Sequence, residues 1–162
     1  MSEIIKVLNG RIEICDKHIQ RLDIAVKSLK TIIQLNKEGY RILGDREISL
    51  IDQMSYRFTK LQDAAGRLLR TVLIVLQEDI ENSPFIDVLN RAEKLKIIES
   101  AEEWIKMREL RNILSHEYSE DDEDIAKGVN QLHKMSERLC AIYSGIKDFI
   151  KTGYMPAVTK NL

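Results

Sequence analysis

Apolar residues recur every three or four positions along most of the chain, the spacing of helices that pack one face inward. From residue 3 to about 36, Ile5, Leu8, Ile12, Cys15, Ile19, Leu22, Val26, Leu29 and Ile33 form an unbroken heptad seam. Ile4, Ile14, Ile24 and Ile32 widen that face, so the helix is expected to touch more than one neighbour. The stretch from Lys37 to Gly44 reads as a connection, with Gly39 suited to cap the first helix and Asp45 suited to open the next. A second long helix follows from about 46 to 78, with Ile51, Met54, Phe58, Leu61, Ala65, Leu68, Val72 and Val75 inward. Ala64, Ala65 and Gly66 are small, which lets another helix approach closely there.

Ser83 as N-cap and Pro84 at the first helical position start a short helix to about 95. Ser100 and Glu103 form a capping box for a fourth helix, about 101 to 117, which buries Trp104, Met107, Leu110 and Leu114. The acidic run Glu120 to Asp124 opens a fifth helix, where negative charge complements the helix dipole. That helix runs to about 152, is capped by Gly153 and stopped by Pro156. No alternating β pattern of useful length occurs. The expectation is all-α: an up-down bundle of five helices, three long and two shorter. Residues 1–152 form one domain and residues 153–162 a C-terminal tail.

Charge narrows the partners. The net charge is −1 over 162 residues, so any surface for RNA must be a local basic patch. Arg57, Lys60, Arg67 and Arg70 make such a stripe on the second helix, readable as phosphate contacts or as a solvated face. The two cysteines, Cys15 and Cys140, sit far apart at apolar helical positions and read as small core residues. No basic-then-apolar leader pattern is visible, and Val72 to Leu76 is too short an apolar run to span a bilayer, so a cytoplasmic location and no membrane partner are expected. No cofactor and no metal are expected. The acidic run lacks the glycine and ligand spacing of an EF-hand, and no zinc pattern, phosphate loop or nucleophile elbow occurs. His18 and His133 are isolated on their helices.

The densest chemistry lies in Arg108 to Tyr118. Arg108, Asn112 and His116 are four apart and share a helical face, while Arg111 lies about 100° round from Asn112. One reading is a helix end whose cations offset the dipole. The other is a site where arginine holds phosphate and histidine moves a proton.

The run Arg111-Asn112-x-x-x-His116-x-Tyr118 resembles the Arg-x4–6-His signature of the HEPN superfamily, and most of all its HepT-like branch, toxin partners of minimal nucleotidyltransferases. Tyr56 to Gln62 resembles that branch's second helix, and the short helix Phe85 to Asn90 and the approach through Trp104 also resemble it. So does the order of long, long, short, motif-bearing and long helices.

The resemblance implies a HEPN-like homodimer and a toxin that cleaves RNA without metal, by attack of the 2′-hydroxyl on the adjacent phosphate. It makes His116 the general base or acid, Arg111 the stabiliser of phosphate charge, and Asn112 a group that orients His116 or binds a phosphate oxygen. Two motifs would face one dimer cleft. The nucleotidyltransferase antitoxin would attach AMP to Tyr118, whose bland reading is packing at a helix rim. Arg108 is a candidate RNA contact, a solvated arginine or the partner of an Asp or Glu in an ion pair. The alternatives are a non-catalytic helical partner of a nucleotidyltransferase and a plain helical interaction module.

Overall fold

The computed structural model describes residues 2–116 and 121–154, and the side chains of 112–116, 153 and 154 lie outside that description. The described residues form six α-helices rather than five: α1 Glu3–Leu29, α2 Lys37–Arg41, α3 Asp45–Val75, α4 Phe85–Lys94, α5 Ala101–His116 and α6 Asp122–Phe149. A 3₁₀ turn, Lys30–Ile32, follows α1, and a π turn, Ile150–Tyr154, follows α6. Gly153 thus lies inside that turn, and Pro156 falls outside the described residues. No strand occurs among the described residues. The all-α bundle expected from periodicity is present.

The extra helix, α2, lies where the pattern predicted a turn. Asn36 has extended backbone, and its Oδ1 accepts from the Gly39 N–H at 2.7 Å, which caps a new helix. Gly39 is therefore inside α2 and does not cap α1. The first helix also stops at Leu29, seven residues short of the expected end near 36. Ile33 is extended, and the amide of Asn130 on α6 clasps the backbone of Leu35. Asn130 Oδ1 accepts from Leu35 N–H at 2.7 Å, and its Nδ2 donates to the Leu35 carbonyl at 2.8 Å. A side chain distant in sequence thus meets hydrogen-bonding needs that a longer helix would have met.

Other boundaries move by one to three residues. Gly44 takes the cap position and Asp45 becomes the first residue of α3, which ends at Val75. Pro84 takes the cap position and α4 starts at Phe85. Backbone dihedrals at the junction decide such shifts, and composition does not record them. Ser100 Oγ accepts from Glu103 N–H at 3.1 Å, one half of the capping box, while the Glu103 carboxylate accepts from Arg138 Nε at 2.7 Å. Asp121 caps α6 by accepting from Glu123 N–H at 3.0 Å, with Asp122, Glu123 and Asp124 in the first turn.

The α1–α3 pair makes the most extensive helix–helix contact. Leu8, Ile12, Cys15, Leu22 and Leu29 of α1 are buried against Met54, Phe58, Leu61, Ala65, Leu68 and Val72 of α3. Leu132, Leu139, Tyr143 and Ile146 of α6 close the core. The Tyr143 hydroxyl donates to Asp16 Oδ1 at 2.5 Å, and Lys147 Nζ donates to the same carboxylate at 3.0 Å. Burial first, and then the bond to Asp16, push the Tyr143 hydroxyl above its ordinary range. None of the helices formed by the described residues is long and apolar enough to cross a membrane.

Gly66 marks a three-helix junction. A Cβ there would stand 3.0 Å from Phe85 Cζ of α4 and 3.8 Å from Trp104 Cζ2 of α5. The missing side chain lets both aromatics reach the α3 backbone, and their rings pack tilted at 60° with centroids 6.4 Å apart. The close approach expected at Ala64, Ala65 and Gly66 is met here.

Two outcomes follow from this packing. Asn130→Ala should lower the free energy of unfolding by about 1–3 kcal/mol, because the Leu35 N–H and carbonyl lose their partners. Urea denaturation should show a lower midpoint at unchanged slope, and an unchanged midpoint would refute the clasp. Burial pushes the Cys15 thiol up to about 12. At pH 8 only roughly one molecule in ten thousand would carry its thiolate. Alkylation followed by mass spectrometry should modify Cys15 in denaturant and spare it in the folded protein.

Candidate nucleic-acid interface

The Phe85–Trp104 junction seats α4 and α5 across the middle of α3, and a pocket of about 370 Å³ opens beside it. Helix α1 contributes Arg11, α3 contributes Gln62, Asp63, Gly66, Arg67 and Arg70, α4 contributes Phe85, and α5 contributes Arg108 and Arg111. Five arginines thus meet one carboxylate in a chain of net charge −1.

Each cation is held differently. Arg111 Nη1 donates to Asp63 Oδ1 in an ion pair between α5 and α3. The Arg111 side chain is 17% exposed and that of Asp63 is 45% exposed, so solvent reaches the carboxylate more readily than the guanidinium. Arg108 is exposed, as a solvated arginine would be, and places Cζ 5.0 Å from the centroid of Phe85 in a cation–π contact. Arg11 Nη1 donates to the Arg67 carbonyl at 2.7 Å. Burial, and then the charge of Arg67, lower the pKa of the Arg11 guanidinium, the signature of two cations held close. Arg70 is structural: its Nη1 donates to the carbonyls of Ile80, Glu81 and Ser83 at 2.9, 3.3 and 2.9 Å, which latches the turn between α3 and α4.

Gln62 lines the same pocket and is 2% exposed. Its Nε2 donates to the Trp104 carbonyl at 3.4 Å, while its Oε1 finds no partner among the described residues. A buried acceptor left in this state costs free energy that a donor would recover.

The predicted basic stripe divides in two. Arg67 and Arg70 enter the pocket. Arg57 and Lys60 instead flank Tyr56, with Arg57 Cζ 5.3 Å and Lys60 Nζ 5.6 Å from its ring centroid, and that tyrosine is 54% exposed. Arg57 Nη1 also donates to His18 Nδ1 at 3.0 Å, which makes that nitrogen the acceptor. Burial, followed by Arg57 and Lys60, lowers the pKa of the His18 ring. His133 is buried on α6, with Nε2 2.8 Å from the Val26 carbonyl.

Of the residues singled out from sequence, Arg108 and Arg111 come together on the pocket wall. Asn112 and His116 continue the same helix, their side chains outside the described residues, and Tyr118 lies outside the described residues altogether. Arg11, Gln62 and Asp63 were not legible as site residues, because each belongs to a helix far from the motif in sequence and carries no local signature. The arrangement can hold phosphate oxygens from several directions, since guanidinium groups on three helices converge on one cavity. No protein-family model, curated protein or solved structure matches the chain, so the functional reading rests on the motif and on the pocket that Arg111 lines.

Proposed function

We propose that the chain is a HEPN-type endoribonuclease, the toxin of a pair whose antitoxin is a minimal nucleotidyltransferase. One observation carries the reading: Arg111, the arginine of the Arg-x4-His motif, is also a wall of the pocket where five arginines face one carboxylate. His116 follows five residues later in α5, which places the two backbones about 7.5 Å apart along the helix axis.

The chemistry needs no bound group. A substrate 2′-hydroxyl gives up its proton to a base and attacks the adjacent phosphorus. The 5′-oxygen leaves with a proton, and a 2′,3′-cyclic phosphate remains. Histidine suits both proton transfers near neutral pH, and Arg111 neutralises charge gathering on the phosphate. Asn112, one turn before His116, orients the ring or holds a phosphate oxygen. One chain supplies one such set, so a homodimer supplies the second histidine. Asp63 must yield Arg111 as phosphate arrives, since the guanidinium cannot satisfy both equally. Arg108 offers a further RNA contact from the preceding turn.

Purified protein should cleave single-stranded RNA in EDTA and leave cyclic phosphate ends. Arg111→Ala and His116→Ala should each cut the rate by about 10²–10⁴-fold with helical circular dichroism unchanged. Equal cleavage by parent and variants would remove the catalytic assignment. Absence of cleavage together with a stable nucleotidyltransferase complex would favour a non-catalytic binding subunit.

Tyr118 is the residue through which the antitoxin acts. Co-expression with the nucleotidyltransferase should add AMP to a peptide containing Tyr118, and Tyr118→Phe should stay unmodified and toxic. An unmodified Tyr118 in a neutralised pair excludes this route.

A further inference from the structure

Tyr56, Lys60, Asp63, Arg67 and Arg70 follow one another along α3 at intervals of four, three, four and three residues. That spacing keeps them on one line of the helix, opposite the seam of Met54, Phe58, Leu61, Ala65, Leu68 and Val72 that faces the core. The burial pattern agrees: Tyr56, Lys60, Asp63 and Arg67 are all exposed. Tyr56 and Arg67 are eleven residues apart, about 16 Å along the axis, the reach of a few nucleotides.

The two ends of this line differ in chemistry. At one end lies the arginine pocket, where Arg11 Nη1 donates to the Arg67 carbonyl at 2.7 Å and burial, then the charge of Arg67, lower the Arg11 pKa. Among the described residues Arg67 makes no ion pair, and Asp63, one turn away on the same face, is engaged with Arg111. An anion between these cations would relieve their repulsion. At the other end the Tyr56 ring is 54% exposed, with Arg57 Cζ 5.3 Å and Lys60 Nζ 5.6 Å from its centroid. A stacking ring next to positive charge, joined to a cationic groove, is how proteins hold single-stranded nucleic acid without reading its sequence.

We propose that the exposed face of α3 is a track for single-stranded RNA, with backbone phosphate in the Arg11–Arg67 pocket and a base stacked on Tyr56. The inference rests on the ribonuclease reading for the identity of the polymer. It adds the path by which substrate reaches Arg111, and it gives roles to Tyr56, Arg67 and Arg11 that the motif does not contain. Asp63, the one carboxylate in the pocket, is the resident counter-ion that phosphate displaces from Arg111.

The test measures binding apart from cleavage. The full chain carrying His116→Ala is titrated against a fluorescent single-stranded RNA in EDTA, by anisotropy, over a range of salt concentrations. Adding Arg67→Ala should weaken binding about fivefold or more and reduce the slope of log affinity against log salt by about 0.7, the loss of one phosphate contact. Adding Tyr56→Ala should weaken binding about fivefold or more with the slope unchanged, and Tyr56→Phe should restore it, because stacking needs the ring and not the hydroxyl. Asp63→Asn should tighten binding. Parent-like affinity in Tyr56→Ala, an unchanged slope in Arg67→Ala, or no RNA binding at all would each overturn the track. Parent-like RNA affinity in Tyr56→Ala would also leave that face to a protein partner. Cleavage by the wild-type chain without dependence on Tyr56 and Arg67 would keep the ribonuclease reading and discard the track. Binding that depends on both residues, without cleavage, would do the reverse.

Discussion

The close approach at Gly66 is the constraint on which the rest of the site depends. With no side chain in the way, Phe85 and Trp104 reach the α3 backbone together. Their contact fixes α4 and α5 against the middle of α3, where the solvent face of that helix carries Asp63 and Arg67. Arg108 and Arg111 are delivered to that face as a consequence, one over the Phe85 ring and one onto Asp63. Arg70 reinforces the geometry from the other side by holding three carbonyls of the connecting turn. The pocket is therefore a product of packing, and its cations are aimed by helices with separate roles in the core.

Concentrating five arginines costs electrostatic free energy in an otherwise balanced chain. Arg11 shows the strain in its lowered pKa, with Arg67 as a contributing cause after burial. Elsewhere Asp16 joins Tyr143 and Lys147 between α1 and α6, and Arg138 pairs with both Glu99 and Glu103 between α6 and the start of α5. The pocket by contrast gathers five arginines around one carboxylate, although Arg70 serves there as a latch.

Much of the fold was legible because a helix writes its buried face into local spacing. The seams of α1 and α3 follow the periodicity, and the caps at Ser100 and Asp121 follow residue type. Legibility failed where a distant partner decided the backbone. The short helix α2 and the early end of α1 depend on Asn36 and on Asn130, which lies 95 residues from the Leu35 it clasps. No window of local sequence contains that pairing. The same limit applied to the site: Arg111 was legible through its motif, while Arg11 and Asp63 acquired meaning only when their helices met α5.

By itself the sequence determined the helical class and most inward positions of α1 and α3, and it set arginine, asparagine, histidine and tyrosine within one short stretch. Those depend on residue type and on spacing within one helix, where geometry is set by the 3.6-residue turn. The tertiary structure decided which charges share a cavity, which arginine is a latch, and that Tyr56 lines up with the pocket along α3. These depend on contacts across dozens of residues, and only packed helices bring such groups within reach of one another.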